Sequence, residues 1–327
     1  MRTILVTGAT GFLGSNLAAA LVREGAYVRI LRRTASDLRA LEGIDVEHRI
    51  GDVRDLDSLG RAMRGCDTVF HAAALVSYWR RQRDELFATN IRGTANVVDA
   101  CLRLGIEKLV HTSSVAAVGF ESDGSLADES TAFNWRPYDV GYRISKFRAE
   151  EEVYRGVRLG LPAVIVNPSV IIGERDIRFN GGQIVRDVYK KRLFYYIRGG
   201  INIVYVGDVV RGHLMAARQG RIGERYILSG ENLTHRQVIG VTAEIVNGLK
   251  PVAKLPMWFA RGLALAAEAF GNVTRRKPWI SRELIAGIDR ICWFTHEKAG
   301  RELGYSVTPF RTAVRSTFEW YQRHSLL

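Results

Sequence analysis

A glycine-rich segment near the start of the chain constrains the fold more than any other feature of the sequence. A short apolar run, Thr3–Thr7, precedes Gly8, Gly11 and Gly14, and a helical pattern follows at once. Gly8 permits a tight turn, Gly11 lets a pyrophosphate approach backbone N–H groups, and Gly14 allows the helix to pack closely. The spacing GxxGxxG is a variant of GxGxxG, and glycines in such a turn can also be purely structural. Its place between a strand and a helix favours a dinucleotide-binding unit.

The first half of the chain alternates short β-rich runs with helical patterns. Such alternation, with nearly continuous apolar runs, is typical of parallel strands that are covered by helices on both faces. We therefore predict an α/β fold, a Rossmann doubly wound parallel sheet, with a smaller and mainly helical C-terminal substrate lobe. The predicted strands are Thr3–Thr7, Tyr27–Leu31, Val46–Ile50, Thr68–His71, Lys108–Thr112 and Ala163–Val166, and the predicted helices are Phe12–Glu24, Leu56–Arg64, Glu85–Leu104 and Tyr138–Leu159.

The domain division of the 327 residues follows from where this alternation ends. After Pro168 the rhythm loosens into a long connection, two short strands and then mainly helices. We predict an NADP(H)-binding Rossmann domain over residues 1–168 and a substrate-binding lobe over residues 169–327, with a chain path that is free to cross between them. A cleft is expected near residues 168–205.

Composition excludes several classes of protein. Hydrophobic residues make up 47% and charged residues 25% of the chain, values that exclude a disordered or fibrous protein. The apolar stretch Leu255–Phe270 is interrupted by Arg261 and Glu268, and a bilayer span needs about 20 apolar residues. The three cysteines are far apart and no secretory signal is visible. These features argue against disulfides and predict a cytoplasmic protein with no metal site.

The net charge of +13 is distributed unevenly along the chain. Residues 1–180 carry 24 basic and 23 acidic side chains, whereas residues 181–327 carry 23 basic and 11 acidic ones. The excess in the second part favours an anionic partner, although a merely solvated basic surface explains it equally well. The chain has no recognised nucleic-acid motif, so we expect no nucleic-acid partner.

The residues after the second predicted strand bear on the choice of nucleotide. A carboxylate there would bind the ribose hydroxyls of NAD, but this chain has Arg32 and Arg33, with Arg29 nearby. Guanidinium groups favour a 2′-phosphate, so NADP(H) is preferred, Arg33 is the stronger candidate clamp, and NAD(H) is the alternative. Asp52 and Val53 follow the third strand and are expected near the adenine, although Asp52 could equally cap the next helix.

A tyrosine and a lysine four residues apart form the candidate catalytic pair. Tyr142 and Lys146 lie in a predicted helix, so their side chains share one face. Ser114 follows the fifth predicted strand, where parallel sheets present residues to a ligand. A surface Tyr–Lys pair with a serine cap is the structural alternative.

These three residues suit hydride-transfer chemistry. A phenol with a pKa of about 10 is a poor base at neutral pH, and we expect the Lys146 ammonium and an oxidised nicotinamide to lower the pKa of Tyr142. Tyr142 would then give or take the hydroxyl proton while hydride moves to or from the nicotinamide. Ser114 would donate to the carbonyl oxygen, and Lys146 would also hold the nicotinamide ribose.

Short motifs are spread along nearly the whole chain. They read TGATGFLG (7–14), GDVRD (51–55), HAAA (71–74), TNIRGT (89–94), TSSVAAVG (112–119), YRISK (142–146) and NPSVIIGERD (167–176). Together they resemble the extended short-chain dehydrogenase/reductase family, which is also called the NAD-dependent epimerase/dehydratase family. The resemblance implies catalytic roles for Ser114, Tyr142 and Lys146. It also implies that further residues line the cofactor: Phe12 and Leu13 at the pyrophosphate, Ala72 and Asn90 along its length, and Pro168 beside the nicotinamide.

Within that family the chain is similar to hopanoid-associated sugar epimerase-like and dihydroflavonol 4-reductase-like proteins, and the two likenesses imply different reactions. Nucleotide-sugar epimerases usually retain NAD and place an arginine where this chain has Ile201, although Arg198 could substitute. This departure and the two arginines after the second strand favour a net carbonyl reductase. The alternatives are an NAD-dependent nucleotide-sugar or hopanoid-associated sugar epimerase/dehydratase, and a non-catalytic dinucleotide-sensing or nucleic-acid-binding protein.

Aromatic residues near the predicted cleft indicate the kind of substrate. Tyr78 and Trp79 follow the fourth predicted strand and Asn167 opens the last motif; we expect all three to contact the substrate. Aromatic walls with few polar groups suit a bulky, apolar or lipid-like small molecule, although aromatic residues often belong to the core. The predicted reaction is the interconversion of a carbonyl and a secondary alcohol on such a substrate.

A second apolar feature lies near the C terminus. Leu255–Phe270, followed by Arg275, Arg276 and Lys277, would form an amphipathic helix with a basic patch that contacts anionic lipid at the inner face of the membrane. Packing between the lobes is the other explanation of this segment, and it is the one that the sequence favours. The sequence leaves both peripheral membrane contact and a homodimer open.

Overall fold

The structure, a computed structural model, describes residues 2–327. Its strands are β1 (Thr3–Thr7), β2 (Tyr27–Arg32), β3 (Glu47–Ile50), β4 (Thr68–His71), β5 (Lys108–Thr112), β6 (Ala163–Pro168), β7 (Val170–Ile172), β8 (Tyr195–Tyr196), β9 (Gly200–Tyr205), β10 (Arg225–Leu228), β11 (Glu231–Thr234) and β12 (Ala253–Lys254). Its α-helices are α1 (Phe12–Arg23), α2 (Leu56–Met63), α3 (Arg83–Phe87), α4 (Gly93–Leu104), α5 (Gly141–Arg158), α6 (Gln183–Tyr189), α7 (Val206–Gln219), α8 (His235–Val246), α9 (Met257–Thr274), α10 (Arg282–Ile285), α11 (Glu297–Leu303) and α12 (Phe310–Arg323).

A seven-stranded sheet with the order β10-β6-β5-β4-β1-β2-β3 forms the centre of the protein. Each strand runs parallel to its neighbours. The chain starts at β1 inside the sheet and winds outward in both directions, which creates a crevice between β1 and β4 at the carboxyl edge. This arrangement confirms the predicted Rossmann doubly wound sheet.

Both faces of the sheet are buried, as the continuous apolar runs predict. Ile4 and Val6 of β1 point into a core with helices α1, α7 and α11, whereas Leu5 between them points into a core with α2, α4 and α5. Side chains alternate between the two faces of a strand, so every second residue serves each core. All three side chains are at most 8% exposed.

The predicted elements agree with the observed ones to within a few residues. Strands β4 and β5 match their predictions in full, and α1 and α2 each end one residue earlier than predicted. The predicted helix Glu85–Leu104 is a continuous helical segment in which α3 and α4 are joined by a wider turn at Ala88–Arg92. The predicted connection after Pro168 contains the short strand β7.

The remaining elements form a smaller region beside the carboxyl edge. Strand β9 lies between β7, to which it is parallel, and β11, to which it is antiparallel, and β8 pairs with β12. Helices α6, α8 and α12 enclose a separate apolar core with this sheet. The region is mainly helical, in agreement with the predicted C-terminal lobe.

The chain crosses between the two regions after residue 168. Helix α7 packs in the core of the large sheet, and β10 pairs with β6 at its edge. The predicted domain boundary at residue 168 therefore stays a prediction. In the structure, residues on both sides of it belong to the large sheet and its core. No helix within residues 2–327 combines the length and the apolar character that crossing a bilayer requires.

Candidate active site

The carboxyl edge of the large sheet opens into a cavity of about 710 Å³. Ligands of open parallel α/β sheets bind at this edge, because the loops that follow the strands meet there. Most of the residues predicted for the cofactor, substrate or catalysis line this cavity: Gly8, Gly11, Phe12, Leu13, Gly14, Arg32, Arg33, Asp52, Val53, Ala72, Tyr78, Ser114, Tyr142, Lys146 and Pro168.

The glycine loop has no space for side chains. Gly8 has a φ of +73°, which favours glycine, and a Cβ atom there would lie 2.6 Å from the Ala72 carbonyl carbon. A Cβ atom on Gly14 would come even closer to the Gly8 carbonyl oxygen. Helix α1 begins at Phe12 without a side-chain cap, so its first N–H groups are free for an anion. The loop therefore fits the pyrophosphate of a dinucleotide.

The arginines after β2 differ in their surroundings. The Arg29 side chain is held away from the cavity, because it donates to Glu47 Oε2 and to two backbone carbonyls. Arg32 donates from Nε to His48 Nδ1 at 2.9 Å. The guanidinium of Arg33 has no hydrogen bond or ion pair within residues 2–327 and lines the cavity. Arg33 is thus the cation most available to a ligand at this end.

Asp52 and Val53 lie beside these arginines. The Asp52 carboxylate forms an ion pair with Arg54, at 2.7 Å, and that hydrogen bond is the main reason why the pKa of Asp52 lies below its usual value. Asp55, not Asp52, caps helix α2. Val53 packs against the position of Gly93 and presents an apolar surface to the cavity.

Tyr142 is half-buried in the first turn of α5, where its ring packs edge-on against Tyr78. Burial raises the pKa of Tyr142 above its usual value, the neighbouring Tyr78 adds to this, and the polar Ser114 side chain opposes it. This differs from the predicted lowering by Lys146, because removal of the phenol from water disfavours its anion. In the protein alone, Tyr142 is therefore a neutral phenol at neutral pH.

Lys146 lies one turn along α5, and its side chain points into the sheet. Its Nζ donates to the backbone carbonyl of Thr112 at 2.9 Å. Burial lowers the pKa of Lys146 to about 8, and the nearby Glu150 carboxylate acts in the opposite direction. The buried ammonium thus has at most two N–H groups free for a ligand, and it loses its proton more readily than an exposed lysine does.

Ser114 lies where β5 ends at the cavity. Its Oγ accepts from the N–H of Ala116 at 3.1 Å and donates to the carbonyl of Pro168 at a long 3.4 Å. Ser114 therefore does cap a short helical turn, Val115–Ala117, as the structural alternative supposed. The capping bond uses only the oxygen lone pair, so the hydroxyl proton stays available to a ligand.

Two residues that were predicted to contact the cofactor or the substrate lie behind the cavity wall and do not line the cavity. Asn167 was predicted to contact substrate, but it is 0% exposed and donates from Nδ2 to the Ser114 carbonyl and to Glu150 Oε1. Asn90 was predicted to lie along the cofactor, but its side chain is buried against Leu75, whose N–H and carbonyl it binds. Neither side chain is part of the cavity wall, because tertiary packing turns these amides towards groups of neighbouring elements.

Trp79, which was also predicted to contact substrate, points away from the cavity. Its neighbour Tyr78 lines the cavity, but the Trp79 ring is 8% exposed and donates from Nε1 to Asn272 Oδ1 at 3.1 Å. Consecutive residues in an extended segment point in opposite directions, so only one of this pair can face the ligand. The tryptophan instead anchors helix α9.

Comparison with known proteins identifies the family of this chain. Residues 4–229 match the model of the NAD dependent epimerase/dehydratase family. The chain belongs to this family. The motifs that resemble extended short-chain dehydrogenases/reductases therefore reflect membership, and the predicted family is confirmed.

Relatives with similar sequence identity to this chain have different names within the family. The chain is 33% identical over 324 residues to a putative dihydroflavonol 4-reductase of Synechocystis sp., covering 98% of this chain and 94% of the relative. It is 33% identical over 328 residues to sterol demethylase protein B of Methylococcus capsulatus, with 99% and 100% covered. It is 31% identical over 312 residues to a 4-hydroxy-2-methyl-3-oxo-4-farnesyl-3,4-dihydroquinoline-1-oxide ketoreductase of Stigmatella aurantiaca, with 94% and 92% covered.

The fold agrees with a solved member as well. The crystal structure of gox2253 superposes with a TM-score of 0.88 at 37% identity and covers 100% of both chains. The family match and the reductases among the relatives identify the protein as an NAD(P)-dependent enzyme of the short-chain dehydrogenase/reductase type, so the non-catalytic alternative is wrong. Its cofactor is a nicotinamide dinucleotide, which the glycine loop of this epimerase/dehydratase family member fits.

The cavity wall of this family member also contains arginines that the sequence did not predict. Arg143 lies with its guanidinium carbon 3.2 Å from the ring centre of Trp135, and its Nη1 has no hydrogen-bond partner within residues 2–327. Arg178 and Arg290 also line the cavity. Arg143 directly follows Tyr142, which was a usable signal, whereas nothing local marks the other two. Arg198, the predicted substitute for the epimerase arginine, lines a different cavity beside Asp289.

Proposed function

We propose that this protein is an NADP(H)-dependent oxidoreductase that interconverts a carbonyl and a secondary alcohol on a bulky, apolar or lipid-like substrate. One observation supports this more than any other. Ser114, Tyr142 and Lys146 line the same cavity as the glycine loop, although they come from different elements. A hydroxyl donor, a phenol and a buried cation beside a dinucleotide loop are the groups that carbonyl reduction requires.

Tyr142 is the proposed proton donor. The bound dinucleotide supplies or accepts the hydride. Because burial keeps the phenol neutral, Tyr142 can give its proton to the oxygen of a carbonyl that is being reduced. The neutral phenol carries the proton that carbonyl reduction consumes, so Tyr142 is in the protonation state that this direction requires.

Ser114 is the proposed donor to the carbonyl oxygen. Its hydroxyl makes only a 3.4 Å contact with the Pro168 carbonyl, so turning towards a substrate oxygen loses little. Its Oγ is fixed by the N–H of Ala116, and its backbone carbonyl is fixed by Asn167. A donor that is held in place before the reaction stabilises negative charge without reorganisation.

Lys146 is the proposed positioning cation. Its bond to the Thr112 carbonyl aims the ammonium at the carboxyl end of β5, where the cavity lies. A positive charge there favours loss of the Tyr142 proton once the site is filled, and its free N–H groups can bind ribose hydroxyls. The buried Glu150, one turn further along α5, partly offsets the lowering of the Lys146 pKa by burial.

The preference for NADP(H) rests on Arg33. An unpaired guanidinium at the end of β2 suits a 2′-phosphate, because charge-assisted bonds to phosphate are strong and bidentate. The aspartate in reach, Asp52, is already paired with Arg54 and so competes weakly for ribose hydroxyls. These two arrangements support NADP(H) over NAD(H).

The apolar substrate is inferred from the cavity wall and from the relatives. Tyr78, Trp135, Leu284, Ile288 and Phe294 line the cavity. Such walls take ligands with extensive apolar surface. The names of two relatives include a sterol and a farnesyl ketone, which supports a substrate of this class.

The test is a screen of ketones by the loss of NADPH absorbance with purified protein. We expect oxidation of NADPH with steroid or long-chain ketones, faster than with short water-soluble ketones, and a stoichiometric alcohol product. A cofactor that stays bound through many turnovers, with an inverted sugar and no net NADPH loss, would instead support the epimerase/dehydratase alternative and overturn the proposal.

A further inference from the structure

Helix α9 exposes an apolar face to solvent. Trp258 is 74%, Leu265 54%, Phe270 69% and Val273 84% exposed. These positions repeat at helical spacing, so they lie on one side of the helix. The opposite side, with Ala260, Ala264, Glu268 and Gly271, is buried against the protein. Packing between the lobes thus explains the inner face of α9 and leaves the outer face without a partner in this chain.

The exposed charges of α9 and of the segment that follows it, up to Trp279, are all positive. Arg261 within α9, and Arg275, Arg276 and Lys277 after it, are exposed. The one acidic residue of α9, Glu268, is buried and pairs with Arg282. The outer face of α9 thus combines large exposed apolar side chains with exposed cations and has no exposed carboxylate. Exposure of such an apolar patch to water is unfavourable, so the face is suited to a partner.

We propose that the outer face of α9 and the segment Arg275–Trp279, together called the lipid-facing surface, dock on an anionic lipid bilayer. The helix would lie in the plane of the interface, with Trp258, Phe270 and Val273 among the acyl chains and the cations at the headgroups. Trp258 and Trp279 are each more than 60% exposed, and tryptophan is favoured at this depth of a membrane.

Charge decides between a bilayer and a second copy of the chain. The protein has a net charge of +13, so pairing two lipid-facing surfaces would bring two sets of cations together with no carboxylate between them. Like charges at such distances repel, and burial would increase the repulsion. Anionic headgroups neutralise the same cations, because each Lys or Arg near a negative membrane surface is attracted to it.

The lipid-facing surface is joined to the wall of the active-site cavity. Asn272 of α9 accepts from Trp79 Nε1 with its side chain and from Arg81 with its carbonyl. Ser281, after the basic segment, donates to the carbonyl of Tyr78 at 2.6 Å. Tyr78 lines the cavity. A bilayer docked on α9 would therefore lie beside the cavity and could supply an apolar substrate, a step that rests on the proposed function.

The test is co-sedimentation of the full protein with vesicles of equal parts phosphatidylcholine and phosphatidylglycerol, compared with vesicles of phosphatidylcholine alone. We expect strong binding to the anionic vesicles, weak binding to the neutral ones, and loss of binding in high salt. Fluorescence of Trp258 and Trp279 should shift to shorter wavelength when the vesicles bind. Equal binding to both vesicle types, or none to either, would overturn the proposal.

Paired variants locate the surface. Replacing Arg275, Arg276 and Lys277 by Ser should weaken binding to anionic vesicles on the order of 100-fold. The exposed arginines Arg61, Arg64 and Arg103, near the ends of α2 and α4 at the opposite edge of the sheet, provide a control with the same loss of charge. The control triple variant should bind as the unmodified protein does. Equal weakening by both triples would show attraction by net charge only and would sink the proposal.

A second pair of variants tests the apolar contact. Trp258→Ser with Phe270→Ser should weaken binding by at least about tenfold, whereas Leu104→Ser with Leu159→Ser, at the ends of α4 and α5, should not. All four side chains are exposed, so neither change should disturb folding. If the first variant instead abolishes a concentration-dependent dimer and vesicle binding is unchanged, the face is an interface between copies. Vesicle binding needs no turnover, so its failure is distinct from failure of the proposed reaction.

Discussion

The aromatic ring of Tyr78 meets the ring of Tyr142 edge-on, with 5.6 Å between the ring centres and 60° between the ring planes. The two rings come from the loop after β4 and from the first turn of α5, and both line the cavity. Burial raises the pKa of both phenols. The two tyrosines therefore share an environment, and they differ in that Tyr142 has a lysine, Lys146, one turn further along its helix.

Tyr142 and Tyr78 allow a matched test of the proposed proton donor. Tyr142→Phe should lower kcat for ketone reduction about 10³-fold, because the proton donor is lost, while the Kd for NADPH changes little. Tyr78→Phe removes the same atom from the same cavity and should keep most of the activity. Steady-state rates and NADPH fluorescence titration measure both effects. Normal turnover by the Tyr142 variant would remove this residue from the mechanism.

The proposed preference for NADP(H) depends on one side chain, that of Arg33. Arg33→Ala should raise the Kd for NADPH about 10- to 100-fold and leave the Kd for NADH nearly unchanged, since only NADPH carries the 2′-phosphate. Arg39→Ala is a suitable control, because Arg39 is exposed, pairs with Asp37, and loses the same charge nearby. Equal losses for the two nucleotides in the Arg33 variant would refute the assignment of NADP(H).

The affinity for the cofactor should depend on pH through Lys146. The pKa of Lys146 in the free protein is about 8, and a ligand that binds the ammonium raises it. The affinity for NADPH is therefore full below this pH and falls as the pH rises through it. The buried His71 and His111 stay neutral in this range, because burial lowers their pKa. Titration of NADPH binding against pH measures the effect, and Lys146→Met should bind more weakly with a flat profile.

Acid should destabilise the protein through its buried histidines. Burial lowers the pKa of His71 to about 3 and that of His213 to about 4, against about 6.5 in the unfolded chain. The folded state binds fewer protons between these values, so stability is complete above pH 6.5, about the unfolded pKa, and falls as the pH falls below it. At a pH of about 5, each such histidine should cost about 2 kcal/mol.

His111 offers the variant that checks this. Both of its ring nitrogens are buried without a hydrogen-bond partner within residues 2–327. His111→Phe should therefore reduce the loss of unfolding free energy between neutral and acid pH, as measured by urea denaturation. His324→Gln, a change at an exposed position, should leave the acid loss as it is. An unchanged acid loss in His111→Phe would show that other groups control the acid transition.

The glycine loop allows a test of the close packing of Gly14 against the backbone of Gly8. Gly14→Ala would place its Cβ against the backbone carbonyl of Gly8, so it should destabilise the protein by about 1–3 kcal/mol and weaken cofactor binding. Gly60→Ala provides the control, since nothing lies within 4 Å of a Cβ there in helix α2. The control should stabilise the protein by about 0.5–1 kcal/mol. Differential scanning calorimetry compares the two, and equal stability would contradict the close contact.

Local patterns predicted the sheet and much of the cavity lining. Strands β4 and β5 were predicted to the residue, because a buried parallel strand needs a continuous apolar run and little else. The glycine loop and the Tyr142–Lys146 spacing are local as well. A strand-to-helix turn and one turn of helix fix their geometry within a few residues, and their place at the carboxyl edge follows from the fold.

Tertiary packing decided what local patterns could not. Asn90 and Asn167 face backbone groups instead of ligand, and Trp79 binds Asn272, which lies far away in the sequence. The pKa of Tyr142 is raised because neighbouring elements exclude water from the phenol. The sequence by itself determined the family, the sheet and the residues that meet at its edge. Only the tertiary structure decided which way their side chains point and how much water reaches them, because both depend on segments that are distant along the chain.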